Sequence, residues 1–217
     1  MGTPRTVLLT GAAGGVGTFL RESLPGYGYE LRLFDKAPIP GEPQAVTADL
    51  ADAGALAAAM TGVDAVVHLA GLALEAPFPD ILTANIEGTL YGLSKCFGED
   101  LAALYADKHG ITTVSLRIGS CYAEPRTVRM LATWLSPADC ARLVHAAIGA
   151  ELSGHHVVYG ISANTRGWWD LEPGHRLLGY RPQDDAEVYA AKLLAAQGEL
   201  AAEDPEFRYL GGAFTTF

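Results

Sequence analysis

The sequence predicts an α/β fold, a parallel sheet covered by helices on both faces, and three observations lead to it. Short apolar segments alternate with helical segments along most of the 217 residues, the pattern of consecutive βα units. The apolar segments are nearly continuous, as expected of strands buried on both sides. A glycine-rich stretch, GAAGGVG, joins the first strand to the first helix, which is typical of a tight βα turn.

Six segments have the composition of strands. They are residues 6–10, 29–35, 45–50, 64–71, 111–120 and 155–162. Among the helices between them, the segment 136–148 carries the clearest start signal, Ser136-Pro137 followed by Asp139. A capping serine, a proline at the first position and an acidic residue in the first turn all favour a helix start there.

An unusually long helical pattern lies between Pro79 and Gly110. Apolar residues recur in it at spacings of three and four, so that they form one stripe. The stripe consists of Leu82, Ile86, Leu90, Leu93, Phe97, Leu101 and Leu104. We therefore expect one helix of about 30 residues with a core-facing side, in which Gly88 is the weak point.

The composition excludes several classes of function. With 49% hydrophobic and 18% charged residues, the chain can bury one substantial core, and we expect a single domain over residues 1–217. A net charge of −10 opposes binding to nucleic acid. No apolar run approaches the roughly 18 residues of a membrane span, and the N-terminus lacks a secretion signal. These features predict a cytoplasmic protein without membrane association.

Neither a disulfide nor a metal site is predicted. Cys96, Cys121 and Cys140 lie far apart in the sequence, and a cytoplasmic protein keeps its thiols reduced. His155 and His156 have no acidic ligands at a useful spacing, so we interpret this pair as the start of a strand.

The glycine-rich stretch is the first candidate site. It follows a strand and opens a helix, where glycines permit a tight turn and close approach of the backbone to a ligand. The helix N-terminus then faces a pyrophosphate. The residues predicted to hold a dinucleotide here are Gly11, Gly14, Gly15, Val16 and Gly17. The sequence thus predicts a Rossmann-like, doubly wound parallel sheet.

Asp35 is the predicted acidic partner of this loop, since it ends the second strand 18 residues after Gly17. A carboxylate there binds the ribose hydroxyls of the cofactor and repels a 2′-phosphate, which favours NAD over NADP. Lys36 and Arg32 are evidence against this preference, because a basic residue can accept the phosphate. Asp49, at the end of the third strand, is as compatible with an adenine contact as with a structural role.

Five sequence features together resemble the extended short-chain dehydrogenase (NAD-dependent epimerase/dehydratase) family. They are TGxxGxxG, Asp35, Asp49-Leu50, HLAG at 68–71 and Tyr91-x-x-x-Lys95. The segments LRIGSCYAEP, VRMLATW, GWWD and GGAF resemble, more narrowly, its uronate dehydrogenases. The resemblance covers nearly the whole chain. It implies NAD-dependent oxidation of galacturonate or glucuronate at C1 to the aldarolactone.

The resemblance also implies roles for individual residues. Tyr91 is the catalytic base, and Lys95, one helical turn later, stabilises its phenolate by charge. Cofactor contacts beyond the glycine loop and Asp35 are implied for Lys36, Asp49, Leu50, Leu69, Ala70, Gly71, Asn85, Tyr91, Lys95 and Ile118. Substrate contacts are implied for Ala73, Ser120, Arg129 and Phe214, with Arg129 binding the carboxylate.

The predicted substrate region lies mainly within residues 119–135 and 160–217, and the predicted partner is a small sugar acid. Trp168-Trp169 fits a platform for a sugar and ordinary loop packing equally well. Association into a homo-oligomer is possible but is not specified by any motif.

The spacing of Asn85 and Tyr91 departs from the family. Only five residues separate them, whereas the family places several tens of residues there, including a strand with a catalytic serine. We expect a sheet one strand short, in the order 3-2-1-4-6-7 by the family's strand names, or else a slot with unpaired strand edges. Two smaller departures are Gly15 and Ala73, which stand where relatives can carry polar side chains.

Three interpretations of this departure stay open. The chain is an NAD-dependent enzyme with reduced or altered activity, a dinucleotide-binding protein without catalysis, or a truncated chain. Loss of one positioned hydrogen-bond donor such as the serine typically costs about 10²–10³ in rate.

Overall fold

The computed structural model describes residues 5–71, 91–201, 203, 204 and 206. The chain divides into two compact units, Met1–Leu72 and Ala73–Phe217. The prediction of a single functional domain stays a prediction.

The first unit is a four-stranded parallel sheet with helices. Its elements are β1 Arg5–Thr10, α1 Gly15–Ser23, a 3₁₀ turn Leu24–Tyr27, β2 Tyr29–Asp35, β3 Val46–Thr47, α2 Ala53–Met60 and β4 Ala65–His68. The strand order is β3-β2-β1-β4, with all pairs parallel. The predicted order 3-2-1-4 is therefore confirmed for this sheet.

The core of this unit forms around β1, which has neighbours on both sides. Val7, Leu8 and Leu9 are completely buried, as expected of a central strand whose faces are both covered. On one face, Leu8 packs with Phe34 and Ala59. This packing holds the carboxyl ends of β1 and β2 in register, with Thr10 opposite Phe34.

The second unit begins, among the described residues, with a long helix. Its elements are α3 Tyr91–His109, β5 Thr113–Ile118, β6 Ser120–Cys121, α4 Met130–Thr133, β7 Trp134–Leu135, α5 Pro137–Gly149, β8 His155–Gly160, α6 Glu172–Leu178, a 3₁₀ turn Ala186–Tyr189 and α7 Ala190–Gln197. β5 pairs with β8 and β6 with β7, both in parallel. α5 begins as predicted, with the Ser136 side chain accepting from the Asp139 amide.

Of the sheet expected in the order 3-2-1-4-6-7, or else with a slot, the pairing of the last two strands is observed. Family strands 6 and 7 correspond to β5 and β8, and they do pair with each other. Among the described residues, however, no backbone ladder joins β4 to β5.

The long helix ends where the sequence predicts. α3 ends at His109, before Gly110 in the left-handed region (φ 67°), as expected. The segment 72–90, with the first part of the predicted helix and its stripe, lies outside the described residues.

The described part of the apolar stripe does not face the core, which corrects the prediction. Phe97, Leu101 and Leu104 are 47%, 42% and 55% exposed. The covered side of α3 carries Ala102, Ala103 and the buried Ala106 instead. Small side chains let a helix approach its sheet closely, so the alanine face takes the inner position that the larger residues were expected to fill.

Candidate cofactor and substrate sites

The glycine loop leaves β1 through a turn that only glycine can make. Gly11 has a φ of 71°, and a Cβ on it would lie 2.6 Å from the backbone nitrogen of Ala70. A Cβ on Gly17 would lie 2.4 Å from the Gly11 carbonyl oxygen. Both positions therefore exclude any larger residue.

The start of α1 is open to a ligand. Gly14 is the capping residue and has no side chain, and no side chain from the described part of the chain caps the first amides of the helix. No heavy atom of the described residues lies within 4 Å of a Cβ built on Gly15, and both glycines are exposed, whereas Val16 is half-buried. Uncapped amides and an open surface suit a phosphate group at a helix N-terminus.

Asp35 lies beside this loop, as predicted. Its carboxylate accepts a hydrogen bond from the Ala13 amide at 2.9 Å and another from the Ala37 amide at 2.9 Å. The acidic side chain is therefore held at the end of β2 by backbone groups on both sides. This position fits the ribose-binding role of the carboxylate in a dinucleotide site.

The structure distinguishes between the two basic residues near Asp35. The Arg32 guanidinium donates to the Ala59 and Thr61 carbonyl oxygens, at 2.6 and 2.7 Å, and so caps the C-terminus of α2. Lys36 is exposed. The guanidinium of Arg32 is thus engaged at the C-terminus of α2. Lys36 is therefore the basic residue with access to a 2′-phosphate.

The predicted adenine-side residues have clear structural roles. Asp49 accepts from the Ala51 amide at 2.9 Å in the turn before α2, and Leu50 packs against the cluster containing Leu8 and Phe34. These contacts explain both residues without a ligand, and the predicted cofactor contacts stay predictions.

The HLAG segment follows β4 next to the glycine loop. The Leu69 amide donates to the Thr10 carbonyl at 3.1 Å, and Ala70 lies against Gly11. Thr10 Oγ1 and His68 Nδ1 are 2.7 Å apart. The chain from His68 to the exposed Gly71 thus lines the carboxyl edge of β1, where ligands bind in open α/β sheets.

In the second unit, α3 carries both Tyr91 and Lys95. Residues four apart share one face of a helix, so the spacing required by the predicted pair is present. The Lys95 side chain is exposed as a whole, but desolvation of its ammonium group lowers its pKa. The side chain of Tyr91 and all of Asn85, Ala73 and Phe214 lie outside the described residues.

Two other predicted residues occupy strand ends. Ile118 is the last residue of β5, opposite Gly160, and packs against the cluster around Leu143. Ser120 begins β6 opposite Trp134 and is half-buried. Neither position contradicts a ligand contact.

Arg129 is the predicted substrate residue with the clearest surroundings. It precedes α4, and its side chain is only 13% exposed. Its guanidinium donates to the backbone oxygen of Glu206 and lies 3.7 Å from the carboxylate of the same residue. Burial lowers the pKa of Arg129, and the Glu206 charge opposes that shift.

A cavity of about 230 Å³ opens beside Arg129. Val128, Ala132, Trp168 and Leu194 give it apolar walls. These residues come from the two segments predicted to form the substrate region. An apolar pocket with a few charged groups is the usual form of a small-molecule site.

Three charged residues of this cavity, Arg166, Glu199 and Glu206, were not identified from the sequence. Arg166 Nε and Nη2 donate to both carboxylate oxygens of Glu187, at 2.8 and 3.0 Å. Arg166 directly precedes the segment GWWD, which was noted for the resemblance. This position was the signal available in the sequence. Glu206 carried no signal, since it is one of several acidic residues near the C-terminus.

Trp168 and Trp169 have different environments. Trp168 lines the cavity and is 45% exposed, whereas Trp169 packs on Tyr159 with 5.2 Å between the ring centroids. The first therefore fits the predicted platform and the second is a packing residue.

No helix among the described residues is long and apolar enough to span a membrane.

Comparison with known proteins identifies the chain's relatives. The model of the NAD dependent epimerase/dehydratase family matches residues 7–78. Uronate dehydrogenase from Pseudomonas putida is 39% identical over 96% of this chain and 94% of its own length. That alignment has 256 positions against the 217 residues of this chain, so the relative carries residues that this chain lacks.

Solved structures agree with this relationship. Glucuronic acid dehydrogenase from Chromohalobacter salexigens superposes with a TM-score of 0.89 at 37% identity, covering 98% of this chain and 97% of that one. A mutant uronate dehydrogenase from Agrobacterium tumefaciens, complexed with NAD, has a TM-score of 0.86 at 36% identity, covering 97% and 96%. The chain therefore belongs to the NAD-dependent epimerase/dehydratase family, as a member of its uronate dehydrogenase group.

Proposed function

We propose that this protein is an NAD-dependent dehydrogenase that oxidises a uronic acid, galacturonate or glucuronate, at C1 to the aldarolactone. The observation that carries the proposal is the largely buried Arg129 guanidinium beside a cavity of about 230 Å³. A planar guanidinium in an apolar pocket selects a carboxylate, which it can bind through two parallel hydrogen bonds. Near full-length identity of 37–40% to three uronate dehydrogenases supports the same substrate class.

The cofactor is held by the first unit. The uncapped amides at the start of α1 bind the pyrophosphate, and Asp35 binds the adenosine ribose. Bound NAD supplies the acceptor for the hydride that leaves C1. The backbone hydrogen bonds that Asp35 already accepts from Ala13 and Ala37 keep its carboxylate in place for this role.

Proton transfer is assigned to the α3 pair. The Tyr91 phenolate takes the proton of the C1 hydroxyl, while the C1–H bond breaks with its electron pair leaving as hydride. Free tyrosine has a pKa of about 10, so the positive charge of Lys95 one turn away favours the phenolate. Ser120 is assigned to the sugar ring as a hydrogen-bonding group.

Turnover is the direct test of this function. Purified protein mixed with NAD and galacturonate or glucuronate is expected to produce NADH, measured by its absorbance. Galactose, which lacks the carboxylate, is expected to be a much poorer substrate. Equal rates with galactose and galacturonate would contradict the assignment of Arg129.

Replacement of Arg129 by Met is expected to raise the KM for galacturonate by about 10- to 100-fold, with a smaller effect on kcat. A hydrogen bond to a charged group contributes about 1.5–3 kcal/mol, and Met retains the apolar part of the side chain. Steady-state kinetics with both galacturonate and galactose measure the effect, and the galactose KM should not change. Arg126→Met is the matched control, because Arg126 stacks on Tyr122 at 3.9 Å.

Replacement of Asp35 by Asn is expected to weaken NAD binding about tenfold and to narrow the preference for NAD over NADP. Asn retains one acceptor oxygen but loses the charge, and a charge-assisted hydrogen bond is roughly twice as strong as a neutral one. Titration calorimetry with NAD and NADP measures both effects.

The control for Asp35→Asn is Asp64→Asn. Asp64 accepts from the Thr6 amide at 2.7 Å, near the opposite end of β1. Equal losses of NAD affinity in the two variants would indicate a general effect on the sheet, contrary to a ribose contact.

A dinucleotide-binding protein without catalysis is the second candidate function. The complete glycine loop in the first unit favours it. The apolar stripe of α3 also favours it, because Phe97, Leu101 and Leu104 are exposed where burial was expected. Tight NAD binding with no NADH formed from either uronate would support this candidate over the first.

A further inference from the structure

The partner of Arg129 in this structure comes from the chain's own C-terminal region. The residues are 77 positions apart in the sequence. The guanidinium donates to the Glu206 backbone oxygen, and its Nε lies 3.7 Å from a Glu206 carboxylate oxygen. The group proposed to bind the substrate carboxylate is therefore already paired with a carboxylate.

Glu206 is held in this position by a short local turn. The Asp204 amide donates to the Ala201 carbonyl at 3.0 Å, and the Glu206 amide donates to Asp204 Oδ1 at 2.8 Å. These contacts shape the backbone around Glu206, and the contacts with Arg129 hold the segment in addition. The position of Glu206 thus rests on both the local turn and the pairing with Arg129.

The Glu206 residue also lines the cavity beside Arg129. A sugar acid that enters the cavity brings a second negative charge to the same guanidinium. Two carboxylates close to one cation repel each other, so the incoming acid and Glu206 compete for it.

The other cation of the cavity does not remove this competition. Arg166 is bound through two hydrogen bonds to Glu187, the geometry of a strong, directional pair. Among the described residues, the Glu206 carboxylate lies 3.7 Å from Arg129, whereas the Glu187 carboxylate holds Arg166 through two short hydrogen bonds. The looser carboxylate contact is therefore the one at Arg129.

We propose that Glu206 occupies the carboxylate subsite of Arg129 in the substrate-free protein, and that a uronic acid binds by displacing it. This inference rests on the proposed function and deepens it. The apparent affinity for the sugar acid is reduced by the fraction of molecules in which Glu206 holds the guanidinium. Glu206 thus sets the KM without taking part in the chemistry.

Replacement of Glu206 by Gln tests the proposal in the full-length protein. Gln keeps the size of the side chain and the backbone contact but removes the competing charge. The KM for galacturonate is expected to fall about two- to fivefold, the range for loss of a partly exposed ion pair, while kcat stays unchanged. An unchanged or higher KM would overturn the proposal.

Glu203→Gln is the matched control, because Glu203 is an exposed carboxylate in the same short segment. This replacement removes the same charge from the protein without changing the contact between Arg129 and Glu206. A similar fall in KM for both variants would assign the effect to general charge and would also overturn the proposal.

Hydrogen–deuterium exchange separates this inference from the proposed function. In the absence of any substrate, Glu206→Gln and Arg129→Met are both expected to increase exchange in the segment 199–206, and Glu203→Gln is not. If no protein variant binds or oxidises a uronate, the proposed function fails. Increased exchange would then still support Glu206 as the resident partner of Arg129, and unchanged exchange would overturn it.

Discussion

Replacement of Tyr91 by Phe is expected to lower NADH formation from galacturonate by about 10²–10⁴-fold, the usual contribution of a positioned general base. Phe keeps the ring but has no hydroxyl to accept the C1 proton. Binding of NAD should persist, because the glycine loop and Asp35 belong to the first unit. Stopped-flow or steady-state absorbance measures the rate, and calorimetry measures the binding.

The pH dependence of the wild-type rate gives a second measure of the same role. The rate is expected to rise with pH as Tyr91 ionises to the phenolate. Lys95→Met removes the neighbouring positive charge, which moves that rise to higher pH. Since desolvation lowers the pKa of Lys95, the lysine loses its charge at a lower pH than an ordinary lysine, and the rate should decline again on the alkaline side.

Tyr105→Phe provides the control on the same helix. Tyr105 is 47% exposed and lies against His109, with ring centroids 5.1 Å apart, so its hydroxyl is expected to contribute nothing to turnover. If Tyr91→Phe and Tyr105→Phe both retain the wild-type rate, the assignment of Tyr91 as the base is wrong. The enzyme would then use a group outside the α3 pair.

Replacement of Asp139 by Ala is expected to lower the free energy of unfolding by about 3–5 kcal/mol, the range for removing one partner of a buried charged pair. Asp139 is completely buried. Its carboxylate accepts from the Gln183 amide at 2.8 Å and the Asp184 amide at 3.0 Å, and it pairs with Arg142 at 2.5 Å. Without the carboxylate, two backbone amides lose their acceptor, and Arg142 keeps its longer contact with Asp184 at 3.4 Å.

Urea denaturation followed by circular dichroism measures this loss, provided that the slope of the transition is unchanged. Asp170→Ala is the control, since Asp170 is exposed and accepts one local hydrogen bond from the Glu172 amide at 2.9 Å. Its loss should cost about 1 kcal/mol or less. Equal effects of the two replacements would show that the Asp139 network contributes no special stability.

The parts of the fold that sequence predicted well are those with local causes. The turn from β1 into α1 needs glycine at Gly11 and Gly17 because of positive φ and close backbone approach, and such needs are visible in a single stretch of residues. The start of α5 is similar, because Ser136 caps an amide only three residues later. The contacts of Gly17 with Gly11 and of Ser136 with Asp139 join neighbours in the chain, whereas the approach of Gly11 to Ala70 is long-range.

The side of α3 that faces inward could not be predicted in the same way. The spacing of Phe97, Leu101 and Leu104 describes an apolar stripe, but it does not state whether a partner exists to cover it. In the structure, the alanine face of α3 is covered and the stripe is exposed. Periodicity reports which residues share a face, whereas burial depends on what lies opposite that face.

The sequence itself determined the family and predicted the cofactor-binding loop and the catalytic pair, since glycine spacing, Asp35 and Tyr91-x-x-x-Lys95 are short-range patterns with a direct physical meaning. Tertiary structure alone decided which charges meet. Arg32 caps α2, Asp139 receives amides from residues 183 and 184, and Arg129 is paired with Glu206. These contacts join residues 27 to 77 positions apart, and at such separations only the packing of the chain brings the partners together.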